Sequence, residues 1–196
     1  MGQIANQMLI EAVFKIKEKI KQFPFVEAGM IDISMLSKKY SIVRLDDSDA
    51  DDILDFCRKN TLYYQYCGAE TSKEQVLNDL HITPPGVDTA DKYYVGIFNG
   101  EKMVAVLDLI DGYPESDIAY IGFFMMNAAL QGRQIGSAII QDVCAYLKQI
   151  GKTAIQLGIA KDNPQANHFW KKNGFIVIKE VEREGWIVLV AEKKLW

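Results

Sequence analysis

The sequence predicts an α+β fold: a mixed, mostly antiparallel central sheet flanked by helices on both faces, with an additional N-terminal helix. Three observations predict it. The apolar runs Tyr93–Phe98 and Met103–Ile110 are joined through Asn99-Gly100, a hairpin dipeptide. The run Ile118–Met126 follows the turn Asp111-Gly-Tyr-Pro114 and extends the pair into a meander. A strand, helix, strand succession comes after it, which makes the sheet mixed.

Ile4, Met8, Leu9, Val13, Ile16 and Ile20 fall at near-helical spacing with lysines between them, an amphipathic helix over residues 4–20. Its apolar stripe suits packing on its own domain or on a second copy, so a homodimer is a candidate assembly. Gln22–Lys39, with Pro24 and Gly29, reads as a connector, dividing the chain into residues 1–39 and a domain over residues 40–196. Ser41–Leu45 is a short strand, and Asp46-Asp-Ser-Asp49 supplies acidic caps for a helix through Ile53, Leu54 and Phe56. Thr71-Ser-Lys-Glu74 has capping-box spacing for a helix to His81, which Pro84-Pro85-Gly86 stops. Beyond the meander, Gly136–Ile150 carries Ile139, Ile140, Val143 and Leu147 on one helical face and ends at Gly151. Thr153–Gly158 is a strand, Asn163-Pro164 opens a helix that Asn173-Gly174 closes, and strands Phe175–Val181 and Gly185–Ala191 finish the sheet.

Composition narrows the function. Of 196 residues 49% are apolar and 24% charged, ordinary for one globular domain, and the net charge of -4 disfavours nucleic acid as a partner. No run approaches the ~18 consecutive apolar residues of a membrane span, and the first residues lack a secretory layout, so no membrane partner and a cytoplasmic location are expected. Cys57, Cys67 and Cys144 are scattered, and the two histidines, His81 and His168, lack ligand spacing, so neither disulfides nor a metal are expected.

The chemistry concentrates in Phe123 to Ala138, an apolar strand running into a polar, glycine-containing loop that opens a helix. A helix N-terminus presents unpaired N–H groups and partial positive charge, which suits a pyrophosphate. Gly132 and Gly136 permit close backbone approach, and Arg133 adds charge.

This segment resembles the coenzyme A motif of the GNAT N-acetyltransferase superfamily, Q/R-x-x-G-x-G/A after a core strand. Gln131-Gly-Arg-Gln-Ile-Gly136 fits that frame, except that Gln134 replaces the first motif glycine. A shifted register, Arg133-Gln-Ile-Gly136-Ser-Ala138, satisfies the pattern literally. Downstream, Asn163-Pro-Gln-Ala166 followed by Phe169-Trp-Lys-Lys-Asn-Gly-Phe175 is similar to the family's N-x-x-A-x-x-(F/L)-Y-x-x-x-G-F segment. The resemblance implies the acyl-CoA N-acyltransferase fold and transfer of an acetyl group from acetyl-coenzyme A, as co-substrate, to an amine of a small molecule or peptide. It implies cofactor contacts from the backbone of Phe124, Met125 and Met126, from Gln131, Gly132, Arg133, Gln134, Ile135, Gly136 and Ser137, and from Asn163 and Trp170.

Trp170 stands where the family carries the tyrosine that protonates the departing thiolate. Either the thiolate leaves unassisted, or another group such as Tyr120 substitutes, or the protein binds coenzyme A or an amine without turnover. Asp108, Asp117 and Tyr120 are the candidates for a base. In the implied architecture the first two helices and the hairpin build the acceptor pocket. The aromatic run Tyr63-Tyr64-Gln65-Tyr66 and Tyr113 suit a cationic amine, making Tyr64, Asp108 and Tyr113 the substrate candidates.

Overall fold

The computed structural model describes residues 31–67, 71–183 and 185–196. The helix predicted over residues 4–20 and the start of the connector lie outside the described residues. Seven strands form one sheet: β1 (Ser41–Arg44), β2 (Lys92–Asn99), β3 (Lys102–Asp111), β4 (Ile118–Met126), β5 (Ala154–Ala160), β6 (Ile176–Arg183) and β7 (Trp186–Lys194). Their spatial order is β1-β2-β3-β4-β5-β7-β6, and only β4 and β5 run parallel. Helices α1 (Ala50–Arg58), α2 (Thr61–Cys67), α3 (Lys73–His81), α4 (Ile135–Gln149) and α5 (Pro164–Lys172) pack around it. The mixed, mostly antiparallel sheet with helices on both faces is the predicted class.

The alternation of side chains along each strand feeds two cores. On one face Val95, Ile97, Leu107 and Leu109 meet Ile139, Ile140, Val143 and Leu147 of α4. On the other, Tyr94, Val106 and Met125 meet Ile53, Leu54 and Phe56 of α1 and Val76 and Leu80 of α3. Residues 31–36, read from the sequence as connector, belong to the first core. Ile31 and Leu36 are buried there, the Ile31 amide donates to the Tyr93 hydroxyl at 3.1 Å, and the Asp32 amide donates to the Tyr146 hydroxyl at 2.8 Å.

Local chemistry accounts for the remaining differences. Asp46 and Asp49 form a reciprocal capping box on the turn that leads into α1. At α3 the N-cap is Ser72, whose hydroxyl accepts from the Gln75 amide at 3.1 Å, one residue later than the Thr71–Glu74 frame. The short helix α2 had no prediction, because seven residues carry too little periodicity to register. The β2–β3 loop is Gly100-Glu101, with Asn99 paired to Lys102 in the ladder. The strand β6 extends through Arg183, paired to Trp186, so Glu182 and Arg183 continue the ladder past the predicted end at Val181.

Because Leu36 is fully buried, Leu36→Ala should destabilise the domain by about 2–5 kcal/mol, read as a lower midpoint in urea denaturation. A cost below ~1 kcal/mol would place residues 31–36 outside the core.

Candidate active site

The strands β4 and β5 pair over only four positions, from Ile118–Ala154 to Ile121–Leu157. Beyond that, β4 continues along β3 while Gly158–Ala160 of β5 remain paired with β7. The parting begins at a bulge: Asp108 faces Phe123 and Leu109 faces Ile121, leaving Gly122 without an opposite residue. A bulge bends its strand and sharpens the twist. The result is a V-shaped cleft of about 560 Å³ walled by Gly122–Met126, Gly158–Ala160, the loop after β4, α5, and residues 59–63 at the junction of α1 and the start of α2.

One wall of the V is backbone. The Asn127 amide donates to the Val104 carbonyl at 2.9 Å. Alternation in an antiparallel ladder then directs the polar groups of Phe123 and Met125 at β3, and those of Phe124 and Met126 into the cleft. Of the three predicted backbone contacts, Met125 is therefore turned away, and its side chain belongs to the opposite core.

The loop at the open end is shaped by two positive φ angles, 73° at Gly132 and 63° at Gln134. Among the described residues Gln134 is the one non-glycine residue with positive φ, and it stands where the motif frame expects glycine. The left-handed conformation costs an L-residue about 1–2 kcal/mol. Gln134 is also the N-cap of α4 and provides no side-chain cap. The first helical bond runs from the Ala138 amide to the Gln134 carbonyl, which leaves the amides of Ile135, Gly136 and Ser137 directed out of the helix end. Gly136 serves packing: a Cβ there would meet Met126 Cγ and a Phe169 ring carbon, each at 3.2 Å. Arg133 is exposed and is not part of the wall.

Gln131 does something the sequence did not signal. Its Nε2 donates to Asn60 Oδ1 at 2.7 Å and its Oε1 accepts from Gln165 Nε2 at 2.9 Å, linking the α1–α2 junction to α5. Asn163 caps α5 through Oδ1, which accepts from the Ala166 amide at 2.9 Å, so the cap does not use its NH₂ end. Trp170 is buried edge-on against Phe169 and Phe175, both at 5.0 Å between ring centroids, and tilted against Phe124. Phe169, missed from sequence, stacks on Phe124 at 5.8 Å.

The substrate candidates do not converge on the cleft wall. Tyr63, rather than Tyr64, lines it, edge-on to Phe123 at 5.7 Å, and Tyr64 packs behind Tyr63. Tyr113 sits in the turn before β4, against Tyr120 at 5.4 Å and away from the open end. Asp117 is exposed and accepts from the Thr153 hydroxyl at 2.7 Å. Asp108 stands directly behind the bulge. Its carboxylate fills the space of a Gly122 side chain, where a Cβ would collide with Oδ2. Lys92 Nζ donates to Oδ2 at 2.7 Å, while Oδ1 is buried and finds no hydrogen-bond partner among the described residues. Burial raises the carboxyl to about 6, against the opposing pull of Lys92.

Among the described residues no helix is long and apolar enough to cross a membrane, and no group of three or more His, Cys, Asp or Glu side chains could hold a metal ion.

The model of the acetyltransferase (GNAT) family matches residues 54–175. An uncharacterized N-acetyltransferase of Methanocaldococcus jannaschii is 24% identical over 185 residues, covering 91% of this chain and 78% of the relative. The crystal structure of an acetyltransferase from Thermus thermophilus superposes with a TM-score of 0.65 at 21% identity, over 80% of this chain and 97% of that one. The PaiA N-acetyltransferase of Thermoplasma acidophilum, solved in complex with coenzyme A, gives a TM-score of 0.57 at 19% identity, over 79% and 98%.

Replacing Gln134 by glycine removes the left-handed penalty, so Gln134→Gly should stabilise the protein by about 1 kcal/mol in urea denaturation. An unchanged or lower midpoint would mean that the glutamine side chain makes a compensating contact.

Proposed function

The chain belongs to the acetyltransferase (GNAT) family, and on that premise we propose that it transfers an acetyl group from acetyl-coenzyme A to a primary amine of a small molecule or peptide, by direct attack in a ternary complex. The observation that carries this reading is the continuity of the cleft: uncapped amides at the start of α4 lead into the unpaired backbone edge of Phe124 and Met126, which ends at the bulge. From Met126 back to Gly122 the strand offers about 13 Å of such edge. A phosphate-bearing end and an amide-bearing arm match the two parts in that order.

In this reading the amides of Ile135, Gly136 and Ser137, with the backbone of Gln131, Gly132 and Gln134, hold the pyrophosphate. Phe124 and Met126 pair with the pantetheine amides, joined by the free end of Asn163, while Phe169 and Trp170 wall the arm. The thioester supplies an activated acetyl carbonyl. A backbone N–H at the β4 edge stabilises charge growing on its oxygen, and such a donor is worth about 10²- to 10³-fold.

Direct attack fits the two buried thiols. Burial pushes Cys57 up to about 11 and also raises Cys144, so neither provides a thiolate nucleophile at neutral pH. The amine approaches past Tyr63 and Phe123, aromatic faces that suit an alkylammonium. Asp108 behind the bulge takes its proton. The second reading, a coenzyme A or amine sensor without turnover, is favoured by the buried indole of Trp170 at the tyrosine position of the motif. Release of free thiol across an amine panel separates the two.

Two outcomes test the site. Ser137→Glu places negative charge in the cradle while complementing the helix end, so coenzyme A affinity should fall at least about tenfold in calorimetry with an unchanged melting temperature. Unchanged affinity would remove the pyrophosphate from α4. A base must be ionised, and a carboxyl raised to about 6 is protonated below that pH. The ratio kcat/KM should therefore rise with pH through about 6, and Asp108→Asn should lose this limb together with about 10²- to 10⁴-fold in rate. A limb that persists in Asp108→Asn would exclude Asp108 as the base.

A further inference from the structure

We infer that Tyr120, on β4, is the acid that protonates the departing thiolate, a role left open by the indole at residue 170. The inference rests on the acetyl transfer proposed above. The acyl end of the arm must stop where β4 and β5 rejoin, at the Ile121–Leu157 pair. Two glycines flank that apex, Gly122 on β4 and Gly158 on β5, and both belong to the cleft wall. Each has a polar group from elsewhere beside the space its side chain would take. At Gly122 that group is the Asp108 carboxylate, and at Gly158 a Cβ would meet Val188 Cγ1 at 3.0 Å and the Tyr120 hydroxyl at 3.3 Å.

Tyr120 is half-buried, one position before the apex, and its ring is steadied edge-on by Tyr113 at 5.4 Å. Tyr120 and Asp108 rise from the same face of the sheet, the one covered by α1 and α3. Asp108 lies opposite Phe123, and Tyr120 lies opposite Ile110, two residues along β3 from Asp108. Trp170 is held on the other face by three phenylalanine rings, and an indole N–H does not release a proton to a thiolate.

The step balances. The amine nitrogen forms its bond to the acetyl carbon while the carbon–sulfur bond breaks and leaves its electron pair on sulfur. Tyr120 gives its hydroxyl proton to that sulfur, Asp108 accepts the surplus proton of the amine, and solvent carries a proton from Asp108 back to the tyrosinate.

The test is calorimetric titration of coenzyme A and of desulfo-coenzyme A, at mildly alkaline pH, into the wild-type protein and Tyr120→Phe, with melting temperatures as a check on folding. The Tyr120→Phe protein should bind coenzyme A about tenfold more weakly while its affinity for desulfo-coenzyme A is unchanged, since only the hydrogen bond to sulfur is lost. In turnover, kcat should fall about 10²-fold, and Trp170→Tyr in the Tyr120→Phe background should restore part of it. Equal effects on both ligands, or none on either, would overturn the assignment of Tyr120 while leaving the cofactor site standing. If the folded wild-type protein binds neither ligand, the acetyl-transfer reading falls and Tyr120 with it.

Discussion

A backbone N–H or C=O inside a protein must find a partner, and β4 leaves several without one. The strand pairs with β3 on both sides of the Gly122 bulge but with β5 only as far as Ile121. Past that point a row of donors and acceptors faces a cleft instead of a neighbouring strand. Everything that distinguishes this end of the molecule follows from the parting. It opens a slot in an otherwise continuous sheet, it fixes which residues offer their main chain, and it makes the rejoining point the floor of the cleft. The bulge at Gly122 is the hinge of that geometry.

The loop at the mouth illustrates how packing and conformation divide the work of glycine. Gly136 is constrained by neighbours, since Met126 and Phe169 leave a Cβ only 3.2 Å of room. Residue 134 is constrained by its own backbone, with φ at 63°, and here a glutamine accepts the strain. Its side chain is exposed and does not cap the helix. The nearby Gln131 holds the mouth from the other direction, bridging Asn60 and Gln165.

The two groups proposed for acid–base roles lie behind the floor. A buried ion pair such as Lys92–Asp108 is a weak source of stability, because desolvation opposes most of the Coulombic gain. Its presence at the bulge, with one carboxylate oxygen unpartnered among the described residues, is easier to understand as chemistry than as scaffolding. The carboxylate fits there only because residue 122 lacks a side chain. Gly158 on β5 leaves space that the Tyr120 hydroxyl borders together with a Val188 methyl group.

Local signals in the sequence determined the order of elements and the position of the glycine-containing loop that opens α4. The Asn-Gly turn, the capping residues and the two motif segments each act over a few residues, and the expected meander, crossover helix and α5 follow from them. Short-range signals failed where they were weak, as at the seven-residue α2, or where the tertiary core reached further, as at Ile31–Leu36. Adjacency across the sheet was decided only by the tertiary structure. Which amides enter the cleft depends on ladder parity, so Met125 is excluded while its neighbours are not. Asp108 is brought directly behind the floor by a one-residue bulge between strands, while Tyr64 and Tyr113, equally aromatic and equally polar in sequence, stand away from it. Register and bulges are set by the summed packing of the two faces, a property of the whole sheet that no local pattern encodes.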